Sequence, residues 1–141
     1  MLVIDDVMLL RVLARTADPP VAAAVERGEV FATACWFSRL SRAVHDQRYA
    51  GQLTRTLDAL EEEQRHQVIE LLDELPDQIG LLSWRTVVPV MRVLHVERPL
   101  NLLAAEALAT SVILDAQIVV TTDTPLIRTG AESLGLEYRV A

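Results

Sequence analysis

Two short apolar runs, Leu2-Val3-Ile4 and Ile118-Val119-Val120, limit the fold more than any other feature of the sequence. Both are rich in β-branched residues and too short for a core helix, so they read as buried strands. Each leads within a few residues to an aspartate, Asp5 or Asp123. Between such runs lie stretches with apolar residues at helical spacing. Strands at 2–4, 30–33, 79–84, 117–122 and 136–140 alternate with helices at 7–17, 21–27, 35–46, 52–75, 87–96, 100–114 and 125–134. Pro19-Pro20 is read as a break between the first two helices. Pro89 is placed in the first turn of the helix at 87–96. The longest amphipathic stretch, 52–75, carries Leu53, Leu57, Leu60, Val68, Leu71 and Leu72 on one side, and Glu61-Glu62-Glu63 reads as its solvated face.

This alternation predicts an α/β class: one domain over residues 1–141, with a central, mostly parallel, twisted sheet of about five strands and helices on both faces. Ligand sites in such sheets gather at the carboxyl ends of the strands. If the strands before Asp5 and Asp123 are neighbours, the two carboxylates face one crevice.

Composition narrows the setting. No apolar run reaches the roughly 18 residues of a membrane span. The N-terminus has no basic stretch or cleavage-like site, so no signal peptide is expected. Cys35 is the single cysteine, which excludes an internal disulfide and favours the cytoplasm. The formal charge is −7, which argues against a uniformly basic nucleic-acid binder and leaves room for a local basic patch. All 13 basic residues are arginine, so every cation can make planar, bidentate contacts. His45, His66 and His95 lack metal-ligand spacing. The sequence has no glycine-rich phosphate loop, zinc cluster or nucleophile elbow.

Three segments together carry a resemblance. They are Leu2-Val3-Ile4-Asp5-Asp6-Val7-Met8-Leu9-Leu10, the Ala-rich Leu102 to Ala109, and Ile118-Val119-Val120-Thr121-Thr122-Asp123 with Pro125-Leu126 and the closing Gly135-Leu136-Glu137-Tyr138. In order and spacing the chain resembles the PIN-domain family of metal-dependent ribonucleases, which includes VapC-type toxins. The resemblance implies four acids around one or two Mg²⁺ or Mn²⁺ ions and a metal-bound water that attacks an RNA phosphodiester. Asp5 matches the first acid, Asp123 the last, and Thr121 the hydroxyl often found two residues before it. The second-acid position falls near Arg39, and the third on Leu100 or Asn101. Asp6 and Glu106 are the candidate replacement ligands.

Two functions follow from this pattern. One is a Mg²⁺- or Mn²⁺-dependent endoribonuclease of toxin type, a hydrolase with a weakened acidic site. Asp5, Asp123 and Thr121 would be catalytic, Asp5, Asp123, Asp6 and Glu106 would hold metal, and Arg11, Arg39 or Arg42 would meet phosphate. The other is a catalytically lapsed module that binds protein or RNA, with Arg39 paired to the old acidic site and Asp5 as its partner. Clustered carboxylates need a cation, since unit charges about 4 Å apart interact by roughly 4 kcal/mol at an effective dielectric near 20. A third, plainer reading is an antitoxin-like or dimer-forming partner protein that uses the 52–75 helix as its interface; the resemblance also implies a homodimer, and an antitoxin or other protein partner is compatible with it.

Each site residue has a plainer reading. Asp5, Asp123 and Asn101 suit helix N-caps, and Asp6 suits a first helical turn. Thr121 suits strand filler, and Glu106 a narrow solvent stripe with Thr110. Arg39 suits solvent alongside Arg42. Cys35 suits a small core residue, and Trp36 and Trp84 suit core or interface anchors.

Overall fold

The computed structural model describes residues 1–46, 48 and 51–141. Five strands pair in parallel in the order β3-β2-β1-β4-β5: β1 (Leu2–Ile4), β2 (Val30–Ala32), β3 (Ile79–Leu81), β4 (Gln117–Val120) and β5 (Tyr138–Val140). β1 and β4 are neighbours, with Val3 beside Ile118 and Ile4 beside Val119. The period-two alternation of strands then divides the core. Ile4, Val30, Ala32 and Val119 pack under α1 (Asp6–Leu13), α2 (Pro19–Glu26), α4 (Gln52–Asp58) and α5 (Glu62–Asp73). Val3, Ile118 and Val120 pack under α6 (Trp84–Glu97), α7 (Leu102–Leu114) and α8 (Pro125–Ser133). The remaining helix, α3 (Ala34–Ala43), joins the two layers: Leu40 and Ala43 enter the first cluster and Trp36 the second. The chain is therefore an α/β fold with helices on both faces of a parallel sheet.

Several boundaries differ from the sequence reading, each for a local reason. α1 stops at Leu13 rather than Ala17, because the chain turns at Arg15, whose φ is +60°. Pro19-Pro20 opens α2 instead of separating two helices; in the first turn the missing N–H has no helical partner to lose. The 52–75 stretch is two helices. Glu61 ends the first connection and starts α5, its N–H donating to Gln64 Oε1 (3.1 Å) in a capping box. Glu62 and Glu63 then lie in the first turn of α5, where negative charge suits the helix dipole.

β3 ends at Leu81, because Ser83 Oγ accepts from Arg85 N–H (3.2 Å) and starts α6 three residues earlier than expected. Pro89 is consequently inside α6, on an exposed flank where water can take the carbonyl it leaves unpaired. β4 ends at Val120, leaving Thr121 and Thr122 in the turn, and β5 begins at Tyr138. Gly80 is required by close approach: a Cβ there would lie 2.3 Å from the Phe31 ring. Among the described residues no helix is long and apolar enough to cross a membrane.

Candidate functional site

The carboxyl ends of β1 and β4 meet at Asp5. Its backbone is extended, and Oδ1 accepts from Met8 N–H (2.8 Å), so it caps α1. Oδ2 accepts from Thr121 N–H (2.6 Å) and from the Thr121 hydroxyl (2.8 Å). One buried side chain therefore fixes the start of α1 to the turn after β4. Thr121 acts on Asp5, where the resemblance would have it orient a ligand or a water. Burial pushes the Asp5 carboxyl above the ordinary carboxylate range, against the Thr121 and Met8 hydrogen bonds and the Arg11 charge, which pull it down.

Asp6 follows in the first turn of α1 and is also buried. Its Oδ1 accepts from Val7 N–H (2.9 Å), while Oδ2 has no hydrogen-bond partner among the described residues. The Nε of Arg39, on α3, lies 3.4 Å from that Oδ2. The arginine expected to pair with Asp5 thus pairs with its neighbour. Burial raises the Asp6 pKa most, Arg39 opposes this, and Asp5 adds to it.

A pH dependence follows, with an unusual sign for carboxylates. A carboxyl whose pKa rises on folding holds its proton more tightly in the folded chain. Stability therefore climbs as pH falls through the folded pKa, and levels off below the ordinary value of 3.8. Urea unfolding from pH ~7 down to ~4 should show Asp6→Asn with a flatter rise than the unaltered chain. Identical slopes would mean that Asp6 does not titrate in this way.

Asp123 points elsewhere. Its Oδ2 accepts from Arg128 Nη1 (2.7 Å) and its Oδ1 from the Tyr138 hydroxyl (3.1 Å). That hydroxyl accepts from Thr124 N–H (2.8 Å), so the Asp123–Tyr138 pair supports the turn that leads into α8. A cavity of about 370 Å³ opens at this end of the sheet, with Asp5, Asp6, Arg39, Asn101, Thr121 and Thr122 in its wall. Asp123 is not in that wall, so the cavity is not a crevice shared by the two aspartates. Asn101 caps α7, its Oδ1 accepting from Ala104 N–H (2.8 Å), as the sequence suggests. The Thr122 hydroxyl donates to Gln52 Oε1.

Glu106 is the residue whose role the sequence conceals. It is 1% exposed, and Thr110 is equally buried, so neither belongs to a solvent stripe. Its carboxylate accepts from Cys35 N–H (2.7 Å), Ala34 N–H (3.2 Å) and the Trp84 indole N–H. It thereby satisfies two free amides at the start of α3 and fixes the indole at the start of α6. The visible signal is one acid in an apolar helix; its partners lie far away in sequence. Burial and the Glu106 carboxylate push the Cys35 thiol up to about 12, so it is not an activated nucleophile.

These surroundings do not fit the expected Mg²⁺ or Mn²⁺ centre. Both oxygens of Asp5 already accept protein hydrogen bonds, and a guanidinium faces Asp6. Asp123 is held by Arg128 and Tyr138, and Glu106 by three N–H donors. Among the described residues no group of three or more His, Cys, Asp or Glu is placed to hold a metal ion. Mg²⁺ keeps several of its waters and can be held by one or two carboxylates, so what bears on the fit is how far these carboxylate oxygens are already engaged. No family model matches the chain, and no match is found among curated proteins or solved structures.

Proposed function

We propose that this chain is a lapsed PIN-like module that acts by binding a protein partner, with the Arg39 guanidinium paired to its acidic site. The observation that carries this reading is the Arg39 guanidinium 3.4 Å from Asp6 Oδ2, near the position where the resemblance expects an acid. The guanidinium supplies the cation that clustered carboxylates need. A divalent ion entering the same place would meet a like charge. The net charge of −7 favours a protein partner over a long polyanion such as RNA.

The test is metal and RNA together. Millimolar Mg²⁺ or Mn²⁺ should leave the melting temperature unchanged, and single-stranded RNA should stay intact over hours with either ion. Arg39→Ala should lower stability by about 1–2 kcal/mol, less than a fully buried pair would lose because Arg39 is half exposed. Mn²⁺-dependent cleavage that disappears in Asp5→Asn and Asp123→Asn would overturn the reading in favour of an active endoribonuclease.

A further inference from the structure

We infer that a recess at the amino end of the sheet binds a free α-amino acid with a large apolar side chain. The site is separate from the one at Asp5 and does not depend on the partner reading above. The ligand's carboxylate meets Arg15, its ammonium meets Glu26, and its side chain lies on the apolar wall.

The recess has a volume of about 430 Å³, within the roughly 300–1,000 Å³ usual for small-molecule sites. It lies where α1 and α2 end and β3 begins, at the opposite end of the strands from Asp5. Its apolar wall is continuous with the core. Leu13 and Ile79 belong to the first core cluster, and Val12, Val25 and Leu71 pack against it. Besides Gln67, the polar side chains in the wall are Arg15 and Glu26. An apolar recess with a few placed polar groups is the pattern of a ligand site.

Both charges stand where the backbone does not favour them. Arg15 is the residue after the cap of α1, and its φ is +60°. The equivalent residues after α2 and α8 are Gly28 (φ +68°) and Gly135 (φ +69°). Glycine takes this left-handed conformation without penalty and arginine does not, so closing the helix does not account for the arginine. Glu26 is the last residue of α2, the helix end that disfavours negative charge. Neighbours do not compensate either one. Among the described residues, Arg15 and Glu26 have no ion pair or side-chain hydrogen bond, with each other or with any other group.

Two unpaired charges of opposite sign in one recess select a ligand that carries both. A simple carboxylic acid would leave Glu26 facing a like charge, and a simple amine would leave Arg15 so. An α-amino acid carries its ammonium and carboxylate on one carbon and directs its side chain away from them. The apolar wall then favours a large apolar side chain over a small polar one.

Isothermal titration of the full chain with millimolar leucine, isoleucine, phenylalanine and serine tests this. The first three should bind, and serine about tenfold or more weakly. 4-Methylpentanoate, which lacks the ammonium, and leucinamide, which lacks the carboxylate, should each bind about tenfold or more weakly than leucine. Arg15→Gly should lose binding to the same extent yet melt at the same temperature or higher, because glycine suits the left-handed turn. Glu26→Gln should also weaken leucine about tenfold. Both residues are exposed, so a lost fold is not the expected cause, and circular dichroism checks this. No binding of any apolar amino acid would overturn the inference, as would leucine binding that both substitutions leave unchanged. Leucinamide or 4-methylpentanoate binding as tightly as leucine would also overturn it, assigning the recess to a simple amine or acid.

Discussion

Glu106→Ala is expected to lower the free energy of unfolding by about 3–5 kcal/mol, as much as truncating a large side chain of the core. The carboxylate is 1% exposed and accepts three hydrogen bonds, from Ala34, Cys35 and Trp84. Alanine leaves two amides of α3 and one indole N–H facing an apolar hole. Hydrogen bonds to a charged acceptor contribute about 1.5–3 kcal/mol each, and the three share one side chain, so they do not simply add. A domain of this kind has about 5–15 kcal/mol in total, so Glu106→Ala should be near its limit at 37 °C. Glu106→Gln keeps the shape and one acceptor oxygen but turns an NH₂ towards an N–H donor; about 2 kcal/mol is expected. Urea unfolding followed by Trp fluorescence measures both, and Trp84 should also lose its fixed environment. A loss below about 1 kcal/mol for Glu106→Ala would refute the anchoring role. A ligand residue held ready for metal behaves differently: neutralising it leaves the metal-free fold unchanged or more stable.

What the sequence reveals and what it hides divide by range. β1 and β4 are legible because β-branched runs announce themselves, and their parallel pairing follows from the helices between them. The caps Asp5 and Asn101 are legible because a cap bonds three residues ahead, with Met8 and Ala104 in place to receive it. The break between α4 and α5 was hidden because leucines continue at helical spacing across it; only the Glu61–Gln64 capping box marks the restart. Long-range partners were hidden altogether. Glu106 reaches the start of α3, Arg39 chooses Asp6 over Asp5, and Asp123 turns to Tyr138. Residue type shows that each charge needs a counterpart, but the fold decides which counterpart is near.

Asp5→Ala should cost about 2–4 kcal/mol, because one side chain serves two distant elements. Loss of the α1 cap accounts for about 1 kcal/mol of it. The rest comes from the Thr121 N–H and hydroxyl, which lose their acceptor where β4 turns away. Asp5→Asn separates the two parts. Asparagine can keep its oxygen on Met8 N–H, and it escapes the burial that pushes the aspartate's pKa up. Its NH₂ then opposes Thr121 N–H, while the rotatable Thr121 hydroxyl can reverse and accept. The expected net cost is about 1 kcal/mol. Thr121→Val tests the link directly: in a double-mutant cycle with Asp5→Ala the two substitutions should couple by about 1–2 kcal/mol. Additive losses would mean that Asp5 stabilises only its own helix. Coupling of that size would place the aspartate's work in joining β1 to β4, where the resemblance alone would have made it a metal ligand.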